Sequence, residues 1–145
     1  MSIRAEKAAA LMRSGFTCSQ AVLAVFCEKY GLDEKTALRI ACGLGGGIKS
    51  GEVCGAVAGA VLVIGLKYGH HNAANKEGKA LCGAKVREFV HSFRGRKGHI
   101  VCREILGIDI STPEGLARAK AAKLFEMVCE GLVFGAVEIL EESGC

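Results

Sequence analysis

No Cys-x-x-Cys pair occurs anywhere in the chain, although cysteine itself is plentiful, at 8 of 145 residues. That lack removes the thioredoxin-type redox motif and the closely spaced ligand run of small ferredoxins; with no Cys-x-x-Cys-His, covalent haem is excluded too. Proline occurs once, and alternating β-branched runs are few, so the chain reads as helical. Long apolar runs are also missing. The longest, residues 53–66, lies between Glu52 and Lys67. It is shorter than a membrane-spanning helix requires and reads as a buried core helix. The apolar run 21–27, which follows Arg4, Lys7 and Arg13, is too short for the core of an export signal. The expected compartment is therefore the reducing cytoplasm, where cysteines stay free, bind metal or do catalysis. Sequence repeats, low-complexity segments and linkers are lacking as well, so residues 1–145 are expected to form one domain.

What is present supports a packed core without staples. Half of the residues are hydrophobic and 23% are charged, enough apolar content for a domain of this size. Eight cysteines are more than folding requires. The formal charge of +4 is modest. Its densest part, Arg94-Gly95-Arg96-Lys97-Gly98-His99, reads as a solvated basic turn, so no nucleic-acid partner is expected. The segment Gly43-Leu-Gly-Gly-Gly-Ile-Lys-Ser50 imitates a phosphate-binding loop. It has Ile48 where that loop needs glycine, and the residues before it read as helix, not strand.

Helix signals recur along the chain. A first helix covers 3–13. Thr17-Cys18-Ser19-Gln20 fits a capping box ahead of a second helix that Gly31 ends. Asp33 caps a third over 34–42. After the glycine loop 43–47 comes a central helix, 52–68, stopped by Gly69. Its glycines at 51, 55 and 59 form one smooth face, suited to close intrachain packing or, second, to a homodimer contact. A fifth helix spans 76–93. A short helical piece follows around 102–106, and Ser111 or Thr112 with Pro113 opens the next. That helix is expected to run to about Val128, break near Gly131 and resume through Leu140. The expected fold is an all-α, single-domain compact bundle of about six to seven helices around a buried central helix.

Four cysteines fall at helix starts: Cys18 after its N-cap, Cys54 in the first turn of the central helix, Cys102 opening the short piece and Cys129 where the last helix resumes. Free N–H groups and partial positive charge at such ends favour thiolate, the form that binds metal and attacks disulfides. Four of them would make one soft-metal or redox site if the fold brought them together. The gaps of 36, 48 and 27 residues do not by themselves force this. Cysteine as a small apolar filler of tight helical packing is the competing reading. Cys27 is expected to face away from Cys18, Cys82 to pack in the core and Cys145 to be mobile. Cys42 stands as an extra ligand or resolving thiol near Cys54. His99 is the one histidine near the proposed site, and Lys49 is placed to lower a thiol pKa.

Glu52-Val-Cys-Gly-Ala-Val-Ala-Gly-Ala60 resembles the C-G-A-x-x-G motif of the small four-cysteine C_GCAxxG_C_C family. Thr17-Cys-Ser-Gln-Ala-Val-Leu23, the glycine loop 43–47, Cys102-Arg-Glu-Ile-Leu-Gly107 and Cys129 with Ala136-Val-Glu-Ile-Leu-Glu-Glu142 resemble its other segments, in order and over nearly the whole chain. The chain departs from the family pattern at Val53 and His99. The resemblance implies redox activity carried by Cys18, Cys54, Cys102 and Cys129. Related domains occur in cytochromes of anaerobic bacteria with which an iron–sulfur centre is associated. The leading expectation is an iron–sulfur cluster on those four thiolates, for electron transfer or redox sensing with a redox partner protein. A thiol–disulfide oxidoreductase with Cys54 as its reactive, catalytic thiolate is second. A structural zinc or interaction module is third.

Overall fold

Five of the eight helices begin where a short polar side chain satisfies their free amides in the structure, a computed structural model describing residues 2–145. Ser2 caps α1 (Ile3–Arg13) by accepting from Ala5 N–H at 2.9 Å. Thr17 opens α2 (Cys18–Ala24) with both halves of a capping box, its hydroxyl on Gln20 N–H and the Gln20 side chain on its own N–H. Asp33 caps α3 (Glu34–Ala41), Asn75 caps α5 (Lys76–Lys97), and Thr112 with Pro113 starts α7 (Pro113–Ala121). The remaining helices, α4 (Gly55–Tyr68), α6 (Cys102–Leu106) and α8 (Glu130–Glu142), start without a side-chain cap. All three begin at or beside a cysteine that matters below. The described residues thus hold eight helices and no strand, an all-α fold with slightly more helices than the sequence pattern suggested.

α4 is the centre of the fold. It is apolar on nearly every side and packs against α2, α5 and α8, while α1 lies across α8 and α2, and α3 backs α2. One continuous core results, with Leu23, Phe26, Ile64, Phe93, Val133 and Leu140 fully buried. The glycines of α4 allow its closest contact. A Cβ at Gly59 would lie 2.8 Å from Ser19 O and 3.1 Å from Ser19 Cα, so α2 crosses backbone to backbone. The glycine face is therefore used inside the chain. No described helix is long and apolar enough to cross a membrane.

Four boundaries differ from the sequence reading. α2 ends at Ala24, and Gly31 (φ +81) closes a separate tight turn, Cys27–Tyr30. α4 starts at Gly55 and not Glu52, because residues 52–54 are extended and pair with another segment. α5 runs through Arg94 to Lys97 before Gly98 (φ +88) turns the chain. The basic run is thus a helix C-terminus, where cations complement the dipole, and Arg96 pairs with Glu142. The break in the last helix falls at Lys123, with φ +56, and not at Gly131, which lies inside α8.

Candidate functional site

The glycine loop makes an unusual turn. Gly46, Gly47, Ile48 and Lys49 have φ of 67°, 65°, 61° and 55°, four consecutive residues in the left-handed region. Side-chain-bearing residues lose roughly 1–2 kcal/mol each there, so Ile48 and Lys49 are held by their surroundings. Gly47 has no room for anything larger. A Cβ on it would strike the Glu52 backbone and come within 2.9 Å of Cys102 Cβ. The turn closes with Glu52 N–H on Gly47 O at 3.0 Å.

Beyond the turn, Val53 and Val101 form an isolated antiparallel bridge. Cys54 N–H donates to Ile100 O at 2.7 Å and Cys102 N–H donates to Glu52 O at 2.5 Å. Cys54 and Cys102 are each one residue past the bridge, so two hydrogen bonds set positions far apart in sequence into fixed register. Arg103 fastens the outside, with its guanidinium 2.9 Å from the Glu52 carboxylate and 3.2 Å from Gly51 O.

Cys18 arrives from the opposite side as the first residue of α2, held by the Thr17 cap. Its sulfur rests against Gly55, where a Cβ would collide with Cys18 Sγ and come within 3.1 Å of Gly45 Cα. Gly45 is itself confined, since its Cβ would lie 2.6 Å from Thr17 Cβ. Cys129 ends a wide helical turn, Phe125–Cys129, that leads directly into α8. Such widened turns recur at functional sites.

All four residues line one cavity of about 680 Å³, with walls that include Phe16, Leu106, Ile110, Phe125 and Leu132 and with Lys49 and Lys120 also on its lining. Cys54, Cys102 and Cys129 are 4%, 8% and 8% exposed, and Cys18 is half-buried. The volume equals roughly 20 waters at their share of the liquid, far more than one ion fills. Among the described residues, no three His, Cys, Asp or Glu side chains form a group able to hold a single metal ion. The thiols surround a space instead of meeting at a point.

Electrostatics here correct the expectation drawn from helix starts. Burial is the largest influence on every one of the four thiols, and it favours the neutral form. Cys54 is pushed up to about 12 by burial, then by Cys18. Cys102 goes up to about 11 by burial, then by Cys18 and Asp109. Cys129 is raised by burial and then by Cys18, Cys54 and Cys102 in turn. The backbone amides of Gly46 and Ser19 lower the Cys18 thiol, and those of Ala56 and Val57 the Cys54 thiol, yet they only temper the rise. Lys49 also tempers Cys18. Amides temper Cys18 and Cys54 alone, since Cys129 lies within continuous helical backbone and no amide acts on Cys102, and burial favours the neutral thiol at all four.

The other cysteines stand apart from the cavity lining. Cys42 is exposed, Cys82 sits at the core edge, and Cys27 is buried with its thiol on Ala24 O at 3.4 Å. Cys145, expected to be mobile, is 4% exposed, and its carbonyl accepts from Tyr30 OH at 3.0 Å and from Lys29. His99 pairs with Glu104 at 3.1 Å on the surface and is not part of the lining. Lys120, Phe125 and Leu132 also line the cavity, and an isolated lysine, aromatic or leucine carries no spacing signal in the sequence.

A family model described as "Putative redox-active protein (C_GCAxxG_C_C)" matches residues 16–143. No curated protein and no solved structure matches the chain. The geometry gives its C-G-A-x-x-G motif a physical meaning: Cys54 faces the cavity, Gly55 clears Cys18 Sγ, Ala56 is fully buried, and Gly59 admits α2.

Proposed function

Because this chain belongs to the C_GCAxxG_C_C family, we propose that Cys18, Cys54, Cys102 and Cys129 hold an iron–sulfur cluster, for electron transfer or redox sensing in the cytoplasm. One observation carries the reading: four largely buried thiols from distant segments line a single cavity too roomy for one ion. The donor set fits. Soft thiolates suit iron–sulfur ligation, and a bound cation deprotonates its thiol ligands outright, its charge offsetting the burial and the mutual repulsion that raise them here. Such a cluster supplies a reversible one-electron change.

The chain's own residues do the rest. The amides of Gly46 and Ser19 favour negative charge on Cys18 and those of Ala56 and Val57 favour it on Cys54, which would raise the potential of a cluster held there. Phe16, Phe125 and Leu132 give the cavity that the sulfurs line an apolar wall. Thiol–disulfide exchange through Cys54 would instead call for an exposed thiol of lowered pKa, and Cys54 is buried and raised. A lone zinc ion would call for sulfurs drawn to one point.

The test is anaerobic reconstitution followed by iron, zinc and sulfide analysis of the wild type and the four single Cys→Ser variants. Coloured protein containing iron and sulfide, depleted by each substitution but not by Cys82→Ser, is expected. Colourless, metal-free protein, or zinc alone, would reject the cluster.

A further inference from the structure

The cavity is larger than its four sulfurs require, and its remaining wall has a definite chemistry. The charged residues on the lining are Lys49 and Lys120; no carboxylate is on it, with Asp109 and Glu126 the acidic groups that act on its Cys102 and Cys129. Neither lysine takes part in an ion pair among the described residues, although seven such pairs are formed elsewhere on the surface. The rest of the lining is mostly apolar, with Met12, Phe16, Leu116 and Phe125 among it. Pockets of ~300–1,000 Å³ with apolar walls and a few polar groups are the usual form of small-molecule sites, and about 680 Å³ falls within that range.

Lys49 is also held there at a cost. It is the last of four left-handed residues, with φ +55, and Ile48 before it is β-branched with φ +61. Non-glycine residues in that region lose roughly 1–2 kcal/mol each, and strain of this kind gathers at ligand clamps and active sites. Glycine at both positions would form the same turn freely. Keeping lysine at the strained position places a cation on the cavity wall.

We infer that this cavity binds a small organic anion with an apolar body, its charged end on Lys49 and Lys120 and its body against Phe16 and Phe125. The inference rests on the proposed function in that the anion then lies in the same chamber as the cluster, within reach of electron exchange. A lysine ammonium acts as a point charge suited to carboxylate or phosphate, so the anionic end is specified and the apolar body supplies the remaining selectivity.

Isothermal titration of wild-type protein at fixed ionic strength, both anaerobically reconstituted and metal-free, tests this with hexanoate, hexanamide and inorganic phosphate. Hexanoate is expected to bind at least tenfold tighter than the neutral amide and tighter than phosphate. Lys49→Gln and Lys120→Gln should each erase most of that tenfold preference while leaving iron and sulfide content unchanged. Equal binding of hexanoate and hexanamide, no binding, or a preference that survives the double substitution would overturn the anion site. Failure of the cluster looks different: iron and sulfide would be lacking while the metal-free protein still preferred hexanoate.

Discussion

Gly55→Ala should unfold the site's logic from a single methyl group. Glycine to alanine within a helix ordinarily stabilises by roughly 0.5–1 kcal/mol. At Gly55 the new Cβ would collide with Cys18 Sγ and crowd Gly45 Cα at 3.1 Å and Leu44 O at 3.2 Å. Two of those neighbours are backbone, so they yield little, and overpacking of this kind costs about 1–3 kcal/mol. The clash outweighs the helix gain, for a net loss of about 1–2 kcal/mol. Gly65, in the same helix, is exposed with nothing within 4 Å of its Cβ position, so Gly65→Ala should gain roughly 0.5–1 kcal/mol. Urea or thermal melts of the metal-free proteins read both, at about 2–4 °C in Tm per kcal/mol for a chain of this size. The two variants should move in opposite directions, and Gly55→Ala should also lose iron on reconstitution because Cys18 is displaced. A Gly55→Ala protein as stable as wild type with its full iron content would refute the packing of Cys18 against α4.

Further outcomes follow from the same geometry. In metal-free protein, Cys54 and Cys102 hold their protons more tightly than the unfolded chain does, with values of about 12 and about 11 against 9.0. The folded state therefore carries more protons between pH 9 and these values, and stability should fall as pH rises through that window, by on the order of 4 kcal/mol for Cys54. Urea midpoints at neutral pH and near the top of the window read this, and Cys54→Ser should flatten the decline; an unchanged slope would contradict it. Ile48→Gly should leave stability unchanged or raise it by up to about 1 kcal/mol, since relief of left-handed strain offsets the greater freedom of the unfolded chain. Gly47→Ala, facing the Glu52 backbone and Cys102, should destabilise and deplete iron, and a thermal melt with iron analysis separates the pair. Thr17→Ala removes the acceptor at the start of α2 and should cost about 1 kcal/mol by urea denaturation.

Local chemistry was the legible part of this chain. Thr17, Asp33 and Thr112 announced their helices because a capping side chain acts within three residues, and the 3.6-residue apolar period did the same for helix bodies. The basic end of α5 misled, since Arg and Lys are good helix formers whose charge alone suggested a turn. Convergence of the sulfurs was not legible from spacing. It depends on the Val53–Val101 bridge, on a left-handed turn shared by two glycines with Ile48 and Lys49, and on the reversal at Lys123 that no glycine or proline marks. The family resemblance pointed to the same four cysteines without supplying any of this. Thiolate character was misjudged for a related reason: amide ends are visible in sequence, whereas the burial that outweighs them belongs to the assembled cavity.

The most direct test of four-sulfur ligation is iron-edge X-ray absorption on anaerobically reconstituted protein. Iron surrounded by sulfur, with a second iron as near neighbour, and loss of that signal in Cys129→Ser is the expected result. Iron ringed by oxygen and nitrogen alone, or a spectrum indifferent to Cys129, would contradict it.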